Sequence, residues 1–211
     1  MSVGYYPIFL DLADRPCLVV GGGSVAERKV ESLLAVGARV TVVSPTVTAC
    51  LAAWARAGRI AHRGRAYRVN DLAGVQIVFV ATDDGAVTQA VAAAARARGV
   101  WVNAADAPAR CDFILPSVIR RGRLAVAVST GGASPAAARA IREELEGYLT
   151  ERHATLVDLA AEARANLRAR AVSASPGRWQ GALGDRRMRR LIADGRHRQA
   201  RRMLARRLES A

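Results

Sequence analysis

Gly21, Gly23 and Ala26 follow the apolar run at residues 17–20 with the spacing G-x-G-x-x-A, and that combination can seat a phosphate. The first glycine allows a tight turn, the second lets the backbone approach a pyrophosphate, and the small third residue packs a helix against the strand. Gly22, Ser24 and Val25 complete the loop, and the free N–H groups of a helix starting there would hold the anion with the help of its dipole. A unit of this kind usually reads the ribose hydroxyls with an acid about twenty residues further on. Val43, Ser44 and Pro45 occupy that place, and no arginine directly replaces the acid. The hydroxyls of Ser44 and Thr46 are what remains to contact the ribose.

Asp106 is the carboxylate placed for chemistry, at the end of an apolar run, between alanines and shortly before Pro108. On the residues alone it is either a general base or a turn aspartate that caps its own backbone. Thr82, Asp83 and Asp84 end another apolar run, where an aspartate serves either a ligand or a helix N-cap. His62, His153 and His197 are far apart in sequence and read as surface histidines, so no metal site is expected. Trp54, Trp101 and Trp179 read as packing residues.

These residues need strands and helices to bring them together. Residues 17–20, 39–43, 75–81 and 100–103 read as strands, and residues 24–36, 49–57 and 87–98 as the helices between them, with Gly37 and Gly99 as stops. Such alternation predicts an α/β fold with a Rossmann-like parallel sheet, binding ligands outside the carboxyl ends of its strands. After Pro108 the pattern changes. Residues 113–119 and 124–129 form a hairpin signature, and Ser134-Pro135 opens a helix over about residues 136–149. A hairpin with one helix buries little, so this small α+β region is expected to pair with a second copy of itself. The remainder reads as helical, with a break at residues 173–177 and short helices at 183–191 and 198–208. The expected domains are therefore 1–112, 113–149 and 150–211.

The chain has 211 residues and a formal net charge of +14, nearly all of it from arginine, with Lys29 the single lysine. That charge marks either solvated faces and coding composition or an anionic partner; it is heaviest over residues 186–207. Cys17, Cys50 and Cys111 are odd in number and widely spaced, which suggests neither a disulfide framework nor a cysteine zinc site. Residues 1–7 lack a basic segment leading into an apolar run, and no stretch reaches membrane-spanning length. A cytoplasmic protein without a membrane partner is expected.

Five segments in order resemble the siroheme synthase N-terminal family, the precorrin-2 dehydrogenases, some of which are also sirohydrochlorin ferrochelatases. They are residues 6–12, 19–29, 81–84, 102–108, and 113–117 continuing through 129–135. The resemblance implies NAD as cofactor, a homodimer built on the central region, and a precorrin-2/sirohydrochlorin tetrapyrrole as substrate. It further implies that Asp106 is the essential carboxylate, accepting a proton as a hydride leaves precorrin-2 for NAD+. Asn103, Arg110, Ser129, Thr130, Gly131, Gly132 and Ser134 are the substrate contacts it suggests, with Thr130 standing where some bifunctional members carry serine. Fe2+ enters as a second substrate if chelation is retained. The eight carboxylates of precorrin-2 give the arginines a partner.

Two other classes compete. A nucleotide-sensing Rossmann regulatory dimer without catalysis predicts the acid that is missing after residue 43 and has no use for residues 103–108. A nucleic-acid-binding protein is suggested only by the basic C-terminal helices, where aromatic residues are scarce and no recognition motif appears, so no nucleic-acid partner is expected.

Overall fold

Strands that are apolar on both faces must be covered on both, and the first half of the chain is built that way. The computed structural model describes residues 4–105 and 107–209, and the chain divides into two compact units, Met1–Leu115 and Pro116–Ala211. In the first unit β1 (Pro16–Val20), β2 (Arg39–Val43), β3 (Ala61–Arg63), β4 (Ile77–Val80) and β5 (Trp101–Ala104) form one parallel sheet in the order β3-β2-β1-β4-β5. Helices α1 (Ser24–Leu34) and α2 (Ala49–Arg56) cover one face, where Cys17, Val19, Val42, Ile77 and Phe79 meet Ala26, Val30 and Leu51. Helix α3 (Gly85–Arg96) covers the other, packing Val91, Ala92 and Ala95 on Leu18, Val20, Val43, Val78 and Val80. The order reverses between β1 and β4, and the crevice of such a fold opens there, at the carboxyl ends of the strands.

The expected fold class holds, with instructive differences at the level of elements. Strand β3 was not expected: Ala-His-Arg has no apolar alternation, and it exists because Val43 and its neighbours offer an unpaired backbone edge. What fastens it is Asp71. That carboxylate lies in a 3-10 turn at Val69–Leu72, its side chain only 1% exposed, and both Arg63 and Arg65 are paired with it. Arg65 holds it at 2.6 and 2.8 Å, and the Arg68 N–H donates to it at 2.8 Å. The Arg65 guanidinium first, then the Arg68 N–H and Arg63, hold the Asp71 carboxyl well below the usual carboxylate range, against the opposing effect of burial.

Asp71→Asn is expected to cost on the order of 3 kcal/mol at neutral pH, since several charge-assisted bonds are lost at a buried site. The folded carboxyl titrates below its unfolded value, so its contribution is complete above about pH 4 and is lost as pH falls through the folded value. Urea midpoints of wild type and variant should therefore converge in acid; a constant gap would reject the assignment.

Trp101, read as a packing residue, is 46% exposed at the start of β5, whereas Trp54 and Trp179 do pack against core clusters. Burial pushes the Cys17 thiol up to about 11, which makes it inert.

The second unit opens with a two-stranded antiparallel hairpin, β6 (Ser117–Arg121) and β7 (Leu124–Val128), turning at Gly122. Residues 113–116 fall outside its strands. Ser134 caps α4 (Pro135–Tyr148) by accepting from the Ala137 N–H at 3.1 Å, with Pro135 in the first turn as expected. Then follow α5 (Glu151–Ala169), α6 (Pro176–Gly184), α7 (Arg186–Ala193) and α8 (His197–Glu209). The helix expected over 183–191 is instead interrupted at Asp185, whose side chain accepts from the N–H groups of Arg187 and Met188 and starts α7 afresh. Met188, Leu191 and Ile192 of α7 join Leu159, Leu167, Leu204 and Leu208 in one core, which leaves the arginines of α7 outside. Among the described residues no helix is long and apolar enough to cross a membrane.

Candidate dinucleotide site

The loop from β1 to α1 has its shape because two glycines have no alternative. Gly21 has φ +119°, and a Cβ there would lie 2.0 Å from the Ala81 carbonyl oxygen. At Gly22 a Cβ would lie 2.0 Å from the Thr46 carbonyl oxygen and 2.8 Å from Ser44 Oγ. The loop is thus pressed between the end of β4 and the segment after β2. The Gly21 N–H donates to Val43 O at 3.0 Å, and the Thr48 N–H to Gly22 O at 3.0 Å, fixing both flanks. Gly23 differs: apart from its own atoms and its two chain neighbours, no described atom lies within 4 Å of the position its Cβ would take. It is the N-cap of α1, and with no side chain it leaves the N–H groups of the first turn, at Ser24 and Val25, facing outward. Such a cradle fits the pyrophosphate of a dinucleotide, being wide open at Gly23 and closed to any added side chain at Gly21 and Gly22.

Neighbouring side chains stiffen this cradle. Thr48 caps α2 through the Leu51 N–H at 3.2 Å and donates to Glu27 Oε2 at 2.5 Å, tying the first turn of α1 to the next helix. Ser44 is buried, its N–H bonded to Arg63 O at 3.2 Å and its carbonyl to His62 Nε2 at 3.0 Å, so His62 is not the surface histidine expected. Pro45 and Thr46 are exposed beside it. Across the crevice, Thr82 Oγ1 accepts from the Asp84 N–H at 3.3 Å, and Asp84 caps α3 through the N–H groups of Ala86 and Val87. Asp84 therefore does the N-cap work, and Asp83 is left exposed at the strand end.

Asn103 is buried at the end of β5, paired in register with Phe79. Its Nδ2 donates to Phe113 O at 3.1 Å and its Oδ1 accepts from Lys29 Nζ at 2.9 Å. The Lys29 ammonium also sits 5.3 Å from the centre of the Phe79 ring. Lys29 on α1 thereby links the cradle helix to the segment that precedes Asp106. Asp106 itself lies outside the described residues; on either side of it, the Ala105 N–H donates to Val80 O at 2.9 Å and the Ala107 N–H to Ala104 O at 3.5 Å. Cys111 Sγ takes the Ala104 N–H and returns a bond to the Ala104 carbonyl, both at 3.2 Å. Arg110 reaches the Gly85 carbonyl at 3.5 Å.

The remaining sequence candidates belong to the second unit. Gly131 and Gly132 have φ +64° and +86°, and Ser129 Oγ accepts from the Gly131 N–H at 3.1 Å. Thr130 Oγ1 accepts from the Ser134 N–H and donates to the Ser134 carbonyl, both at 3.0 Å, so its hydroxyl closes the loop on itself. Lys29 and Glu27 were legible only as parts of a motif, and nothing in the sequence pointed to Thr48, Asp71 or the grip of Cys111. No group of three or more metal-ligating side chains is found among the described residues.

This sheet, with its switch point and open glycine cradle, defines a Rossmann-type NAD(P)-binding protein. Residues 8–117 match the family model described as putative NAD(P)-binding, and residues 121–148 the one described as sirohaem biosynthesis protein central. A siroheme synthase of Methylococcus capsulatus is 48% identical over 164 residues, covering 78% of this chain and 35% of its own length. One from Methylobacillus flagellatus is 43% identical over 185 residues, 85% of this chain and 40% of that protein. The chain thus spans well under half the length of these relatives. Among solved structures it resembles a precorrin-2 dehydrogenase with a TM-score of 0.76 and 30% identity, over 95% of this chain and 98% of that one. The chain belongs to the family of sirohaem-biosynthesis proteins that join this NAD(P)-binding domain to that central segment.

Proposed function

We propose that the protein is an NAD-dependent precorrin-2 dehydrogenase of siroheme biosynthesis, yielding sirohydrochlorin. One observation carries this reading: the open cradle at Gly23 occurs in a chain whose fold follows that of a precorrin-2 dehydrogenase along nearly its whole length. NAD+, when bound, supplies the acceptor for a hydride. Gly21, Gly22, Gly23, Ser24, Val25 and Ala26 hold its pyrophosphate through the N-terminus of α1. Ser44, Pro45 and Thr46 border its ribose, and Thr82 and Asp83 border it from the end of β4.

Asp106 takes the proton that precorrin-2 loses as the hydride departs, so that two electrons and two hydrogens leave the macrocycle. Asn103 and Arg110, with Ser129, Thr130, Gly131, Gly132 and Ser134 of the second unit, are assigned to the tetrapyrrole, the arginine to one of its rim carboxylates. Lys29 is the residue that holds the Asn103 amide in orientation. The protein works as a homodimer in the cytoplasm; the exposed Val118 of β6, with Ile141 and Tyr148 of α4, supports an apolar contact between copies. The name siroheme synthase borne by its relatives supports ferrous insertion as a second activity on the same carboxylate.

The test mixes purified protein with precorrin-2 and NAD+ under anaerobic conditions and follows the absorption spectrum of sirohydrochlorin. NAD+-dependent product is expected, and its absence would reject the reading. A parallel reaction with sirohydrochlorin and ferrous ion, without NAD+, decides the chelatase activity.

A further inference from the structure

Where a Rossmann site selects NAD, an acid after the second strand usually binds the ribose 2′-hydroxyl and repels a 2′-phosphate; arginine nearby does the reverse. In this protein the acid is absent, and β3 brings arginine to the place instead. Arg63 is the last residue of β3, in register with Val43, and its carbonyl accepts the Ser44 N–H at 3.2 Å. It shares Val43's face of the sheet, the face covered by α3 and the 3-10 turn, and Arg65 lies two residues beyond. Both guanidinium groups are aimed by the buried Asp71 carboxylate yet remain accessible, 47% and 32% exposed. One carboxylate against two guanidinium groups leaves a positive charge in surplus. Arg63 engages Asp71 through Nη1 alone, which leaves other N–H donors on its planar fork.

We propose that Arg63 and Arg65 form a seat for the 2′-phosphate of an adenosine ribose, so that the protein binds NADP+ as well as NAD+. Asp71 is the positioning residue of that seat. The proposal rests on the dinucleotide reading of the glycine loop and adds a ligand to it.

Isothermal titration of the purified full chain with NAD+ and with NADP+ tests it. NADP+ is expected to bind within about tenfold of NAD+, and Arg63→Ser to shift the ratio of the two dissociation constants against NADP+ by about tenfold or more, the value of one charge-assisted contact. Arg39→Ser, which removes the same charge at the opposite end of β2, is the control and should leave that ratio unmoved. Adenosine 2′,5′-bisphosphate should compete with NADP+ better than 5′-AMP on the wild-type protein, a comparison independent of how any variant folds. Tight NAD+ binding with NADP+ excluded, equal loss of both ligands in Arg63→Ser, or no advantage of the bisphosphate would overturn the seat while leaving the glycine-loop reading intact. Failure to bind either dinucleotide would instead overturn the glycine-loop reading.

Discussion

Asp106→Asn is expected to slow precorrin-2 oxidation by about a hundredfold to ten-thousandfold, the usual share of a positioned acid–base group. Asparagine keeps the size and one hydrogen-bonding oxygen of the aspartate but cannot accept a proton at neutral pH. Dinucleotide binding should survive, because the cradle proposed for the pyrophosphate is the β1–α1 loop, whose geometry depends on Ala81, Ser44 and Thr46. The informative experiment therefore pairs two measurements on one preparation: the rate of sirohydrochlorin appearance and the affinity for NAD+. A fall in rate with unchanged affinity supports the base; undiminished product in the variant would remove Asp106 from the chemistry. Loss of both would assign the residue to cofactor binding or to folding.

Alanine substitutions along the glycine loop should separate in a way that tests the cradle itself. Gly21→Ala and Gly22→Ala each force a methyl to within 2.0 Å of a backbone carbonyl oxygen, and at Gly21 the positive φ adds strain. Overpacking and strain together should cost about 2–5 kcal/mol of stability, and NAD+ binding should be lost with the loop's shape. Gly23→Ala meets no described atom, and its backbone is extended with φ −82° and ψ −171°, a conformation alanine accepts. Its stability should stay within about 0.5 kcal/mol of wild type, while NAD+ affinity falls by about a hundredfold, the scale of a displacement near 1 Å in a close contact. Thermal unfolding and NAD+ titration on the three variants provide the check. A Gly23→Ala protein that binds NAD+ normally would show that the open space is not where the pyrophosphate lies.

Much of this site could be read from the chain before folding. The glycine spacing, the strand–turn–helix order and the two N-cap residues Asp84 and Ser134 rest on local rules: side-chain volume, allowed φ, and the orphan N–H groups of a helix start. Such rules act over a few residues and leave their mark in composition. Boundaries were less legible where tertiary pairing decides them, as when Asp185 restarts a helix inside an apparently continuous run. Strand β3 left no mark at all, since its three residues are held by the β2 edge and by Asp71 rather than by their own pattern.

The sequence by itself determined that a glycine turn opening a helix follows the first strand, and that Ser44 stands where an acid is usual, because both depend on residue type and short spacing. Only the tertiary structure decided what surrounds them. Lys29 meets Asn103 because α1 crosses the face that also carries β5's buried amide, and Thr48 meets Glu27 because two helices begin side by side. Arg63 arrives next to Ser44 because a third strand extends the parallel edge. Contacts of this kind join residues far apart in the chain through sheet order and register, which depend on how faces pack together and which no short stretch of sequence records.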